Sequence, residues 1–144
     1  MRVYFLNPEH FSTTLQERLN TLLHMLSSKA PTLTHEKLQA LMNNGNVWIF
    51  VAQDDEGSIG GMLTLTRCHT LSDSKYWIED VIVDEAYRGR GIGRALVKAA
   101  VAHANAIEAH PRIYLTSNPS RTSARALYRS EGFEEYETGV FRIV

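Results

Sequence analysis

The chain has 144 residues, enough for one domain with a substantial core, and its 15 basic and 16 acidic residues give a formal charge of -1. That balance supplies no global attraction for nucleic acid or for an anionic membrane, so any anion site must be local. The single cysteine, Cys68, excludes an internal disulfide, and no Cys/His spacing suits zinc. The N-terminus "MRVYFLNPEH" lacks the apolar h-region and the small-residue cleavage site of a signal peptide, and the purely apolar runs are short. These features point to a cytoplasmic protein with no membrane partner and no metal.

In chain order, "RVYFL" (2–6) reads as a strand, and Asn7 followed by Pro8 reads as an N-cap and first helical residue. Phe11, Leu15, Leu19, Leu22, Leu23 and Leu26 recur at helical spacing, which predicts an amphipathic helix from Pro8 to about Ser27. After the loop "SSKAPTLT", Thr34 is placed to cap a second helix through "HEKLQALMN". Three β-branched or aromatic runs follow, "VWIFVAQ" (47–53), "GGMLTLTRC" (60–68) and "KYWIEDVIV" (75–83), joined by short turns that imply antiparallel pairing. Next come a glycine-rich loop, a helix from about Gly91 to His110, a strand at 112–117, a helix from about Ser123 to Glu131, and a tail read as a last strand or hairpin. The order β-α-α-β-β-β-α-β-α-β makes the chain mixed α/β, one domain over 1–144.

The stretch "YRGRGIG" (87–93) carries two arginines and three glycines at the start of a helix. A helix N-terminus presents unpaired N–H groups and a positive dipole end, and glycine lets a ligand approach the backbone, so the local chemistry is that of a phosphate cradle. A P-loop would need GxxxxGK followed by Ser or Thr, which is absent. A Rossmann loop would follow its strand directly, whereas "DEAYR" intervenes after Val83, and it would need an acidic residue some twenty positions on.

The third arrangement, Arg-x-x-Gly-x-Gly, is met by Arg88, Gly91 and Gly93, and a second signature follows at "ARALYRSEGF" (124–133), an Ala-x-x-Leu-Tyr helix closed by Gly-Phe. With both in this order, the sequence resembles the GCN5-related N-acetyltransferase (GNAT) superfamily, firmly from about Val47 to the C-terminus. The resemblance implies the GNAT fold, a mixed, mostly antiparallel sheet splayed around an acetyl-CoA cleft and flanked by helices. It also implies the function: acetyl-CoA-dependent transfer of an acetyl group to a primary amine of a small molecule, amino acid or peptide, by direct attack on the thioester. By analogy the last strand would build a homodimer. A non-catalytic CoA-binding sensor or structural domain is the alternative reading, and a nucleotide-binding module lacks its loop.

Carried onto this chain, the resemblance assigns the cofactor arm to the backbone of Val81, Ile82 and Val83 and the pyrophosphate to Arg88, Gly89, Arg90, Gly91, Ile92, Gly93 and Arg94. The amide of Val81 or Ile82 would polarise the thioester carbonyl. Tyr128 falls on the tyrosine that protonates the leaving sulfur. A lysine-like amine, with a reference pKa of about 10.4, is neutral in about one molecule in two thousand at pH 7, so a base is needed. Strand alternation puts Glu79 on the face of Trp77, Val81 and Val83, with Asp80 opposite. Glu79 is the favoured base, with Asp80 and water as the other choices. Where many members carry an asparagine seven residues before the tyrosine, this chain has Arg121, and Asn118 lies three residues earlier. The acceptor is expected between the helical arm and the sheet, near "SSKAPTLT" and "RCHTLSDSKY". Cys68 and His69 read as an ordinary strand end.

Overall fold

The computed structural model describes all 144 residues. Five strands, β1 (Arg2–Phe5), β2 (Val47–Gln53), β3 (Ile59–His69), β4 (Ser74–Val83) and β5 (Ile113–Leu115), lie in the order β1-β2-β3-β4-β5. The first four pair antiparallel, as short connections require, and β5 joins β4 in parallel after the crossover helix α3 (Ile92–Ile107). This is the mixed, mostly antiparallel α/β sheet expected. The remaining helices are α1 (Thr13–Leu26), α2 (His35–Met42) and α4 (Thr122–Ser130). No helix is long and apolar enough to cross a membrane.

Each face of the sheet buries its own core. Alternation along β2 sends Ile49 and Val51 to one face, where Leu19, Leu22 and Leu38 of α1 and α2 cover them. Phe50 and Ala52 face the other side, under Leu96, Val97, Ala100 and Ala104 of α3 and Tyr128 of α4. The leucine stripe of α1 is therefore core, as its spacing predicts.

The structure departs from the sequence reading at both ends. Asn7 does act as a cap, accepting from the Glu9 amide at 3.0 Å, but it opens only a 3-10 turn at Pro8–His10. The chain is extended at Phe11, and the α-helix starts afresh at Thr13 with Ser12 accepting from the Leu15 amide at 3.0 Å. Thr34 caps α2 as expected, through the Lys37 amide at 3.2 Å. The tail does not form a last strand: residues 131–144 carry no ladder, and β5 is an edge of three residues rather than six. Gly132, at φ 91°, turns the chain sharply off α4, and the Phe133 amide bonds back to the Tyr128 carbonyl at 3.0 Å. Arg125 and Arg129 then hold Glu135, which ties the start of the tail to α4 instead of laying it along β5.

Candidate active site

The site begins with an irregularity in β4. Thr64 pairs with Glu79 but Met62 pairs with Ile82, so two residues of β4, Asp80 and Val81, lie opposite one of β3. Asp80 takes a left-handed φ of 52°, a conformation that costs energy in any residue but glycine and that aspartate tolerates better than most. The Thr64 hydroxyl donates to the Asp80 carboxylate at 3.0 Å and holds it there.

This bulge reverses the alternation assumed from the sequence. Tyr76 and Ile78 lie in the core under α3, and so do Val81 and Val83 beyond the bulge, while Ile82 packs toward α1 and α2. Glu79 therefore shares a face with Trp77 and Ile82, not with Val81 and Val83. Asp80 is not sent opposite it either. Thr64 stands on the same face of β3 as Met62, so its bond to Asp80 brings both carboxylates to the α1 side of the sheet. Partial burial and the Asp80 charge together hold the Glu79 carboxyl above the ordinary carboxylate range.

Past Ile78, β4 has no partner on its β5 side, because the parallel register ends at Ile78 and Leu115. The two strands part there, and a cleft of about 640 Å³ opens beside Val81, Ile82 and Val83. Its far end is the glycine loop. Gly89 and Gly91 have φ of 77° and 74°, and a Cβ built on either meets nothing within 4 Å, so bare backbone fronts open space. The first α3 bond joins the Ala95 amide to the Gly91 carbonyl, which leaves the amides of Ile92, Gly93 and Arg94 without intrahelical partners.

Two clamps fix this loop. Arg18 of α1 donates to Asp84 at 2.6 Å and to the Ile59 carbonyl at 2.8 Å, and this ion pair depresses the Asp84 carboxyl. The Tyr87 hydroxyl donates to Asp54 at 2.7 Å, with its ring seated where a Cβ at Gly60 would come within 2.5 Å.

Most residues assigned to the cofactor line this cleft: Val81, Ile82, Val83, Arg88, Gly89, Gly91, Ile92, Gly93 and Arg94. Arg90 does not line it, since its guanidinium folds over the Tyr87 ring at 5.3 Å. Arg94 is shared with Glu131 at 2.8 Å, and Arg88 with Glu85 at 3.7 Å. Tyr128, 5% exposed, forms the inner wall, and burial raises its phenol above the usual range, so it keeps its proton at neutral pH. Glu79 does not line the cleft. It sits at the fork where β4 leaves β5.

The structure adds a wall of which the sequence singled out only Arg121. Ser120, Arg121, Thr122 and Ser123 face the cleft from the start of α4, whose N-cap, Arg121, makes no side-chain cap bond. The cleft thus lies between two helix N-termini, α3 and α4. The run "SRTS" before a helical pattern was the available signal. Asn118 does not stand in for the missing asparagine: it lies outside the cleft lining, and its side-chain Oδ1 accepts from the Ser120 amide and hydroxyl. Cys68 and His69 stay at an exposed strand end, His69 within 2.6 Å of the Ser74 hydroxyl.

Comparison with known proteins agrees with this geometry. N-alpha-acetyltransferase RimI of Mycobacterium tuberculosis (strain ATCC 25618 / H37Rv) is 32% identical over 85 residues, 59% of this chain and 51% of that protein. A spermine/spermidine N(1)-acetyltransferase of Bacillus subtilis (strain 168) is 31% identical over 62 residues, 43% of this chain and 41% of that one. A protein of Mycobacterium leprae (strain TN) matches at 34% over 94 residues, 65% of this chain but 24% of its own length. The chain thus spans between about a quarter and a half of the curated relatives it matches. Among solved structures, a chain from Agrobacterium tumefaciens str. C58 superposes with a TM-score of 0.81 at 26% identity, covering 100% of this chain and 99% of that one. An aminoglycoside acetyltransferase, meta-AAC0020, from a soil metagenomic sample shares the fold at a TM-score of 0.79 and 20% identity, over 99% and 95% of the two chains. The sequence profile of the Acetyltransferase (GNAT) family matches residues 14–133, well over half the sequence, and the chain belongs to that family.

Proposed function

We propose that this chain is an acetyl-CoA-dependent N-acetyltransferase that passes an acetyl group to a primary amine by direct attack on the thioester. The observation that carries the reading is the continuity of the cleft, from two helix N-termini and bare glycine backbone, along an unpaired strand edge, to a buried, protonated tyrosine. The residues suit acetyl-CoA: the Gly89–Gly91 cradle is open and lies at the positive end of α3, and the β4 edge can pair with an extended amide-bearing arm. When bound, acetyl-CoA supplies an activated acyl group.

The chain's own groups do the rest. The amides of Ile92, Gly93 and Arg94, with the Arg94 side chain, hold phosphate oxygens. The free amide of Val81 or Ile82 stabilises charge on the carbonyl oxygen. Tyr128 donates its proton to the sulfur, and Glu79 withdraws one from the amine, directly or through water. Relatives named for polyamine and for α-amine acetylation support an amine acceptor in a small molecule, amino acid or peptide.

Thermal unfolding with acetyl-CoA, CoA, ATP and NAD tests the first half. At a hundredfold excess over Kd the two coenzyme A species stabilise by about 2.7 kcal/mol, a rise in Tm of about 5–10 °C for a chain of this size. ATP and NAD should do little, and an equal response to ATP would sink the reading. Thiol release with an amine panel tests the second half. Firm CoA binding with no release for any amine would favour the sensor instead.

A further inference from the structure

A second cavity, of about 440 Å³, lies on the other side of Tyr128, between the β5 edge and the tail. Tyr128 is the residue that lines both this cavity and the acetyl-CoA cleft. Resting on the acetyltransferase reading, we propose that this cavity receives the acceptor, and that the acceptor is a primary amine carried on an apolar, preferably aryl, body. The assignment moves the acceptor from the helical arm to the tail side of the sheet.

Four features of the cavity support that ligand. Its wall is a continuous aromatic surface: Trp77 and Tyr114 have ring centroids 5.3 Å apart, and Tyr114 and Tyr136 are 6.0 Å apart. Such a surface favours flat hydrocarbon and, at ring faces, an ammonium. One carboxylate is also open to an ammonium, on a wall whose two arginines and two glutamates balance. Arg125 and Arg129 are both paired with Glu135, while Glu134, on the same wall, has no ion pair.

The floor lies where β5 leaves β4, at Leu115, Thr116 and Ser117, and there the Ser117 hydroxyl is buried without any hydrogen-bond partner. A buried polar group is ordinarily satisfied, so an orphaned hydroxyl in a cavity floor is suited to a ligand N–H. Finally, the cavity borders the proposed acid, since Tyr128 closes it on one side, and its Trp77 wall precedes the proposed base Glu79 by two residues on the same face of β4, Glu79 itself lying outside the lining.

The test uses 2-phenylethylamine, 1,4-diaminobutane and glycinamide as probes, with binding to the CoA-saturated protein measured by calorimetry alongside turnover. The first amine should exceed the other two in kcat/KM by about tenfold or more, the discrimination expected of an apolar pocket. Tyr136→Ala, in the exposed tail, should weaken phenylethylamine binding about tenfold, and Ser117→Ala several-fold, with acetyl-CoA affinity at the wild-type value. Both variants should melt as the wild type does.

Unchanged amine binding in both variants, preference for the diamine, or a tail-mediated dimer that fills the cavity and excludes the amine would each overturn the assignment. Failure of the functional reading looks different. Acetyl-CoA would then neither bind nor react, yet phenylethylamine binding to the unliganded protein, lost in Tyr136→Ala, would still mark the cavity.

Discussion

From Tyr76 to Ile78, β4 is paired on both sides, to β3 and to β5, whereas from Glu79 to Val83 it keeps only β3. The first half buries Tyr76 and Ile78 almost completely and closes the core under α3. The second half has Asp80 in a left-handed conformation, two carboxylates on one face, and a free edge along the cleft. Glu79 and Asp80 apart, the second half is as rich in strand formers as the first. What separates them is one extra residue and the loss of one neighbour, and those convert a structural strand into a binding surface.

Substitutions on either side of the bulge can sharpen or break this division. The largest effect is expected at Tyr128, which faces the second half. Tyr128→Phe keeps the buried ring and removes the proton donor, so turnover should fall about a hundredfold, with Tm and acetyl-CoA affinity nearly unmoved. A stopped assay on protein of matched melting temperature checks this. Lost stability with unchanged activity per folded molecule would make Tyr128 a packing residue.

Ile78→Ala, on the first half, should do the opposite. Removing a side chain only 2% exposed should cost about 2–5 kcal/mol in denaturant unfolding, while the folded fraction retains its kcat. If kcat also collapses, the two halves are not separable.

The smallest effect is expected from Asp80→Asn. Partial burial and the Asp80 charge both hold the Glu79 carboxyl up, so removing that charge should lower it and move the acid limb of the pH–rate profile to lower pH. The same shift has a consequence for stability. A carboxyl raised in the folded state favours folding fully below the ordinary carboxylate range, and that contribution is lost as pH rises through the raised value. Glu79→Gln should therefore raise Tm at neutral pH, with the difference closing toward acid, while it lowers turnover. An acid limb that stays in place in Asp80→Asn would make Glu79 a bystander and point to water as the base.

Much of this was legible before any coordinates. Leucines at 15, 19 and 22 announce a buried helix face, and Arg88, Gly91 and Gly93 announce an anion loop because glycine torsions and helix termini are local properties. The place of Tyr128 in the cleft followed instead from the resemblance of its helix to the family signature. The bulge was not legible. "WIEDVIV" alternates plausibly either way, and only the pairing of Thr64 with Glu79 and of Met62 with Ile82 reveals the extra residue. The tail failed for a similar reason. Its strand-like composition was overridden by Gly132 and by two arginines of α4 that hold Glu135.

The sequence by itself thus determined the parts whose physics is contained within a few neighbouring residues: caps, helix faces, strand runs and the glycine cradle. Tertiary structure alone decided which face Glu79 and Asp80 share, that α4 brings a second helix N-terminus to the cleft, and that Tyr128 divides two cavities. Each of these depends on register between segments far apart in the chain, and one residue of slip in a strand exchanges its faces without changing a letter of its sequence.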